Sequence, residues 1–143
     1  MEKKKDLVQK LRSSGLRPTK QRLRLAECLF NKPKTFHFTV ENLDKVINKK
    51  GSDEKIALAT VYNTVHAFEK AGHLKKILLS SEGKSYFDTN TTSHHHFYDE
   101  VNNELVDIES NNIELKKLPT PPKGKSIKNV NVIINIDNDT QNH

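Results

Sequence analysis

The chain is poor in the residues that mark several classes of protein. It has 143 residues, one cysteine and no tryptophan, and it contains no apolar run long enough to cross a membrane. A single cysteine excludes a disulfide framework and a cysteine-rich zinc site, and the apolar neighbours of Cys28 predict a small core side chain. Because no apolar signal region follows Met1, we expect a cytoplasmic protein with no membrane partner.

Hydrophobic residues make up only 34% of the chain, which limits the core that it can build. A chain of this length forms one domain or two small ones. Association of two copies would bury more apolar surface, so the composition favours an oligomer.

Charge is divided unequally along the chain. Residues 1–86 carry 19 Lys and Arg against 9 Asp and Glu, a net charge of +10, whereas residues 87–143 carry 5 against 9, a net charge of −4. This division predicts two modules with different partners. The basic half suits double-stranded DNA, because contacts to phosphate dominate nucleic-acid affinity.

Four helices are expected in the basic half. Thr19 and Thr39 are N-cap candidates for the second and third helices. Gly15 ends the first helix, and Gly72 ends the fourth as a left-handed cap. Apolar residues at helical spacing predict the core faces of the second and fourth helices. These residues are Leu23, Ala26 and Phe30 in the second helix, and Leu58, Val61, Val65 and Phe68 in the fourth.

The fourth helix is followed by two short apolar segments, 73–79 and 84–88, around a glycine-containing turn at 80–83. This pattern predicts a β-hairpin. Helices followed by a two-stranded hairpin are typical of a winged helix-turn-helix, whose last helix enters the major groove of DNA. We therefore expect a winged-helix DNA-binding domain at residues 1–88.

The polar face of the fourth helix is unusual, because small polar and aromatic groups occupy it instead of Lys and Glu. Thr60, Tyr62, Asn63 and His66 lie mostly off the apolar stripe. Asn pairs with adenine, and Thr and Tyr contact thymine methyl groups, so we expect this face to read bases. The basic candidates for contact with the backbone or minor groove are Arg17, Lys20 and Arg22.

The remainder of the chain predicts a hinge at residues 89–93 and a small α/β dimerisation domain at 94–143. Strands are expected at 105–108 and 127–136, with a short helix at 111–118. A domain with so few elements would be only marginally stable on its own. Pairing of two copies is therefore expected to complete it. A two-fold dimer would match an inverted-repeat site in DNA.

A histidine triplet, His94 to His96, directly follows the predicted hinge. In an extended chain His94 and His96 would point to one face and His95 to the other. A metal ion bound by His37, Asp88, His94 and His96 would connect the two modules. Imidazole and carboxylate suit zinc, manganese or ferrous iron, and the sequence does not choose among them. The alternative is a solvated loop of three histidines.

Several segments resemble the ferric uptake regulator family, and within it the chain is most similar to the iron response regulator branch. The similarity spans most of the chain. The matching segments are Gly15-Leu16-Arg17-Pro18-Thr19 with Arg22, residues 37–41, 58–62, 71–72 and 86–90, the histidine triplet, and residues 104–108.

The resemblance implies a dimeric regulator of iron and haem metabolism genes, often a repressor. We expect its DNA target to be an AT-rich inverted repeat. It places His37, Asp88, His94 and His96 at the regulatory metal site. His95 and Glu114 fall on positions of a second metal site, and the triplet could also ligate haem iron. The Cys-x-x-Cys zinc site of relatives is absent.

Two other functions compete with a regulator. A metal- or haem-buffering protein would show only weak, salt-sensitive and sequence-independent DNA binding. A metallohydrolase would need a large sheet sandwich, for which the chain is too short, and the sequence contains no nucleophile elbow, phosphate loop or paired catalytic carboxylates. We therefore do not expect an enzyme.

Overall fold

A computed structural model describes residues 4–51, 54–79, 85–92 and 94–140. The chain divides into two compact units, the first ending at Thr91 and the second beginning at Thr92. Helices dominate the first unit and strands the second, which confirms the predicted α+β class. The elements of the first unit are α1 Lys4–Ser13, α2 Lys20–Phe30, β1 His37–Phe38, α3 Val40–Ile47, α4 Leu58–Lys70, β2 Lys75–Leu78 and β3 Ser85–Asp88.

Local capping explains where these helices begin and end. The Thr19 hydroxyl accepts a hydrogen bond from the Arg22 amide at 3.2 Å, and that of Thr39 accepts one from the Asn42 amide at 3.1 Å. Each cap satisfies an amide that has no partner within the first turn of its helix. Both predicted N-caps are thereby confirmed.

The end of α4 is a Schellman motif. Gly72 has a φ of +88°, its amide donates to the Glu69 carbonyl, and the His73 amide donates to the Phe68 carbonyl. Gly15, with a φ of +83°, ends α1 in the same way. Glycine suits both positions because a Cβ atom strains left-handed backbone.

Replacing Gly72 with alanine is expected to lower the free energy of unfolding by about 1–2 kcal/mol, the cost of a left-handed conformation for an L-residue. The added Cβ would meet no atom within 4 Å, so the loss is conformational and not steric. Urea unfolding of the full chain measures it. Asn adopts this conformation more readily, so Gly72→Asn should lose clearly less; equal losses for the two variants would contradict the explanation.

The core of the first unit joins α1 to the other three helices and the sheet. Its side chains are nearly or completely buried, and they include Leu7, Leu11, Leu25, Leu29, Val61, Val65, Phe68 and Phe87. Each buried Leu or Phe contributes roughly 1.5–3 kcal/mol through the area it removes from water. Cys28 is half-buried against this core, as expected, and burial raises the pKa of its thiol.

The predicted core faces are incomplete in α2 and wrong at one position in α4. In α2, Ala26 is buried and Leu23 and Phe30 pack against the core, as predicted, but the fully buried Leu25 and Leu29 were not included. Leu58 is 47% exposed, because it is the first residue of α4 and precedes the part of the helix that packs on the core.

A three-stranded antiparallel sheet completes the first unit, in the order β1-β3-β2. The hairpin of β2 and β3 confirms the predicted wing strands; its predicted turn at 80–83 lies outside the described residues. His37 lies in β1 and pairs with Asp88 of β3 in the sheet register.

The second unit is built on another three-stranded sheet. It consists of β4 His95–Asp99, β5 Glu104–Ile108 and β6 Ile133–Ile136, in the order β5-β4-β6, with β4 antiparallel to β5 and parallel to β6. The strand predicted at 105–108 is confirmed, and the one predicted at 127–136 is restricted to its last four residues. The predicted helix at 111–118 is wrong: a 3-10 turn at Ser110–Asn112 is followed by residues without regular structure.

The turn between β4 and β5 is organised by one carboxylate. Asp99 accepts hydrogen bonds from the Val101 amide, the Asn102 amide and the Asn102 side chain, at 2.9 to 3.2 Å. Asn103 has a φ of +54°, and its side chain accepts a hydrogen bond from the Tyr98 hydroxyl at 2.8 Å. The hydrogen bonds from Asn102 lower the pKa of Asp99, with a smaller contribution from Val101.

This arrangement predicts a pH-dependent contribution to stability. A lowered pKa in the folded state means that the Asp99 carboxylate stabilises the fold fully above its unfolded pKa of about 3.9, and that this contribution is lost as pH falls through the lower folded value. The stability difference between the wild type and Asp99→Ala should therefore shrink between pH 6 and pH 3 in urea unfolding. Glu104→Ala, which removes a carboxylate beside the turn, is the control. A difference that does not change with pH would contradict the prediction.

None of the helices in the described ranges has the length and apolar character that crossing a membrane requires.

Candidate metal centre and nucleic-acid interface

The first unit presents a histidine and an aspartate side by side. The antiparallel register of β1 and β3 sets His37 opposite Asp88, and His37 Nε2 lies 3.3 Å from Asp88 Oδ2. Asp88 is only 1% exposed, and its other oxygen accepts a hydrogen bond from the Asn90 amide at 2.8 Å. This bond orients the carboxylate so that one oxygen faces the imidazole.

The second unit contains a triad of His94, His96 and Asp107. The two imidazole Nε2 atoms lie 3.4 Å and 3.2 Å from the same oxygen, Asp107 Oδ1. Their ring centroids are 4.5 Å apart. Both histidines are buried while Asp107 is half-exposed. This triad confirms that His94 and His96 point to one face of an extended segment.

The distances suit ligands of a shared metal ion. With metal–ligand bonds of about 2.1 Å, neighbouring ligands lie about 3.0–3.4 Å apart in octahedral or tetrahedral geometry. Charge-assisted hydrogen bonds are shorter, about 2.7–2.9 Å. The three N···O separations of 3.2 to 3.4 Å fall in the first range.

One backbone contact prepares His94 for coordination. Its Nδ1 lies 2.8 Å from the Thr92 carbonyl oxygen, which can only accept, so Nδ1 carries the proton. In the neutral ring Nε2 then has a lone pair, directed towards the Asp107 side. A backbone carbonyl that fixes the ring in this way is the usual outer partner of a metal-binding histidine.

Sequence reasoning missed Asp107. The residue was assigned to a strand, but its partner across the sheet depends on the β4–β5 turn. The register sets His96 opposite Asp107, so both side chains project from the same face. A correct alignment of the hairpin, with Asp99 opposite Glu104, would have brought the carboxylate to the histidines.

The two residues of the predicted second metal site, His95 and Glu114, have different surroundings. His95 is buried on the other face of β4, and its Nδ1 accepts a hydrogen bond from the Val132 amide at 3.0 Å. Its neutral ring therefore carries the proton on Nε2, which leaves neither nitrogen with a lone pair to bind a metal. Glu114 is exposed beyond the 3-10 turn. Within the described ranges, neither residue belongs to the pair of His37 and Asp88 or to the triad.

The base-reading face predicted on α4 is open to solvent. Tyr62, Asn63 and His66 are exposed and Thr60 is half-buried, whereas Thr64, at the next turn, is buried in the core. The Tyr62 ring stacks on His66 at 6.2 Å between centroids, and its hydroxyl donates to Glu41 Oε1 at 2.6 Å. The face is thus polar and aromatic, and the Tyr62 side chain contacts both His66 and Glu41.

The three predicted basic residues lie together around the start of α2. Arg17 and Lys20 are exposed, and the half-buried Arg22 donates to the Arg17 carbonyl at 3.0 Å. Lys20 Nζ lies 3.8 Å from Glu54 Oε1, and both side chains are 79% exposed. This ion pair therefore adds little stability. Arg24 has a structural role, because its guanidinium donates to the carbonyls of Glu54 and Ile47.

Comparisons with known proteins agree with these observations. Residues 13–135 match the model of the ferric uptake regulator family. The chain is 34% identical over 104 residues to the ferric uptake regulation protein of Campylobacter upsaliensis, which covers 73% of this chain and 65% of that protein. It is 31% identical over 104 residues to the peroxide operon regulator of Bacillus subtilis, which covers 73% of this chain and 68% of that protein. The chain thus spans slightly less than two thirds of the Campylobacter relative.

Solved structures share the fold. The ferric uptake regulator of Vibrio cholerae superposes with a TM-score of 0.67 at 24% identity, covering 91% of this chain and 98% of that one. The manganese-containing regulator from Pseudomonas aeruginosa gives a TM-score of 0.67 at 22% identity, with 91% and 96% covered. The iron-containing regulator from Francisella tularensis gives 0.66 at 24% identity, with 86% and 92% covered.

Proposed function

The chain belongs to the ferric uptake regulator family, and we propose that it is a dimeric DNA-binding transcription regulator whose affinity for DNA responds to a divalent metal ion. The observation that carries this proposal is the pair of ligand sets at the two ends of the segment that links the units. His37 and Asp88 form the first set, and the triad of His94, His96 and Asp107 forms the second.

We infer that one ion takes ligands from both sets. A pair offers two ligands and the triad three, whereas zinc, manganese and ferrous iron take four to six. Only five residues separate Asp88 from His94, so the linking segment is short enough to let both sets reach one ion. Binding would then restrict the orientation of the DNA-reading unit relative to the second unit.

The donors fit zinc, manganese or iron, since imidazole and carboxylate are ligands that all three accept. Solved family members contain manganese or iron, and one manganese uptake regulator is described as zinc-bound. Haem also needs a flat apolar slot beside its histidine ligand. Haem ligation by the triad therefore stays a prediction from the sequence.

For DNA binding, we propose that α4 enters the major groove of an AT-rich inverted repeat. Thr60, Tyr62 and Asn63 would then meet base edges, since they lie on the solvent side of a helix whose other side is buried. The basic residues Arg17, Lys20 and Arg22 would contact the backbone or the minor groove.

A dimer is supported by an apolar row across the second sheet. Phe97 lies opposite Val106 on one side and Ile134 on the other, so the three side chains project from one face. Val106 is 48% exposed and Ile134 is 40% exposed. A second copy that covers this row would bury it and add to a unit with few elements of its own.

At the finer level, we propose control of iron metabolism genes, because relatives are named for ferric uptake regulation. Control mainly by repression stays a prediction from the sequence resemblance. Membership of the iron response regulator branch stays a prediction, because a peroxide operon regulator is among the similar proteins. A family of regulators is in keeping with a chain that is not an enzyme.

The test is fluorescence anisotropy of a labelled inverted-repeat DNA with the metal-free chain, followed by titration of manganese, iron and zinc. A scrambled duplex of equal length and composition serves as competitor. A regulator prefers the repeat, and its affinity changes with the metal. A metal-buffering protein binds the metal but binds both duplexes equally, which would contradict the proposal.

A further inference from the structure

The hydroxyl of Tyr62 already has a partner within the protein. It donates to Glu41 Oε1 at 2.6 Å, a length typical of a hydrogen bond from a hydroxyl to a carboxylate. A tyrosine hydroxyl has one proton and can both donate and accept. Once its proton is directed to Glu41, the oxygen can only accept a hydrogen bond from any third group.

Both partners are held by buried structure. Glu41 lies in the first turn of α3, which Thr39 caps and which Val40 and Leu43 anchor in the core. The Tyr62 ring stacks on His66, which in turn makes an edge contact with the buried Phe87, at 6.0 Å between centroids. The hydroxyl oxygen therefore has a defined place on the exposed face of α4.

We propose that Glu41 is a specificity-determining residue, which holds the Tyr62 hydroxyl as an acceptor so that it reads an exocyclic amino group of adenine or cytosine. In the major groove these amino groups donate, whereas thymine O4 and the guanine O6 and N7 atoms only accept. An acceptor facing an acceptor leaves both groups without a hydrogen bond. The inference rests on the proposed DNA-binding function and adds to it the chemical identity of one base contact.

The contact can be checked without DNA. The hydrogen bond to Glu41 raises the pKa of Tyr62, because loss of the proton would leave two negative groups in contact. Ultraviolet titration of the three tyrosines in the wild type, in Tyr62→Phe and in Glu41→Ala isolates this ionisation. Glu41→Ala should shift it to lower pH; an unchanged titration would overturn the contact and the inference with it.

The main experiment measures binding of the full chain to a panel of duplexes in which each position of the operator carries each of the four base pairs. At one position per half-site the wild type should prefer adenine or cytosine by roughly 3- to 10-fold, the effect of one net hydrogen bond. Tyr62→Phe should lose this preference. Glu41→Ala should accept thymine or guanine there, because the hydroxyl can then donate.

A double variant and a charge control complete the design. Glu41→Ala combined with Tyr62→Phe should behave as Tyr62→Phe alone, since Glu41 acts through the hydroxyl. Glu27→Ala removes an equal charge from an exposed position on α2 and should keep the wild-type preference; a matching change in this variant would overturn the inference.

The outcomes separate the inference from the proposed function. A wild type that is specific for its operator, with a Glu41→Ala variant that keeps the same preference, would overturn only the role of Glu41. A wild type that binds scrambled and operator DNA equally would overturn the proposed function, and this inference together with it.

Discussion

Replacing His94 and His96 together with alanine is expected to abolish the metal response while the chain still folds and binds DNA. The two imidazoles supply two of the three ligand atoms of the triad, and Asp107 Oδ1 is the third. Even outer partners of metal ligands change metal affinity by about 10–100-fold, so loss of two direct ligands should exceed about 100-fold. Calorimetric titration with manganese or zinc measures the affinity, and anisotropy with the operator measures the response.

Asp107→Asn is the sharper version of this experiment. It keeps the size of the side chain and removes the charge, so a loss of metal affinity would assign Asp107 as a ligand. Glu104→Gln changes an exposed carboxylate on the same strand, outside the cluster, and should bind metal as the wild type does. Wild-type affinity in Asp107→Asn would instead leave only His37, Asp88, His94 and His96 as ligands, the set expected from the sequence.

The helices of the first unit could be predicted because their ends depend on local chemistry. Thr19 and Thr39 each bond an amide three residues further on, and Gly72 adopts a conformation that other residues avoid. These interactions need only neighbouring residues. Windows of a few residues therefore contain most of the information that determines where these helices begin and end.

Contacts between distant segments could not be predicted in the same way. Strand β1 has two residues and exists because it pairs with β3, about fifty positions later. The short β6 depends likewise on β4. Asp107 joins the triad only through the register of the β4–β5 hairpin. Periodicity reports which face of an element is apolar, but not which other element covers it.

On the exposed α4 face, one feature could be predicted from the sequence and another could not. The sequence correctly predicted that Tyr62, Asn63 and His66 would avoid the core, because period alone decides that question. The sequence did not indicate that Glu41 would accept a hydrogen bond from the Tyr62 hydroxyl, because that contact depends on how α3 packs against α4. The exposure of this face is therefore a local property of the sequence, whereas the contact between Tyr62 and Glu41 is a non-local one.

Tyr62→Ala is expected to weaken specific DNA binding by about 1–3 kcal/mol, the value of a good base contact, which corresponds to roughly 5- to 150-fold in Kd. Binding to scrambled DNA should change little, because phosphate contacts dominate it. The core should be retained, since Tyr62 is 36% exposed while its neighbours Val61 and Val65 are fully buried. Anisotropy with both duplexes, measured over a range of salt, gives the two affinities and their salt dependence.

Lys20→Ala is the matched control, since it removes an exposed charge and leaves the α4 face unchanged. The salt dependence of binding reports a phosphate contact. In this variant the slope of log K against log salt concentration should be smaller in magnitude by about 0.9, for specific and scrambled DNA alike. Tyr62→Ala should instead keep the wild-type slope and lose only the preference for the operator. If both variants lose affinity equally for every duplex, α4 contacts the backbone and not the bases, because a group that reads sequence must change the ratio of the two affinities.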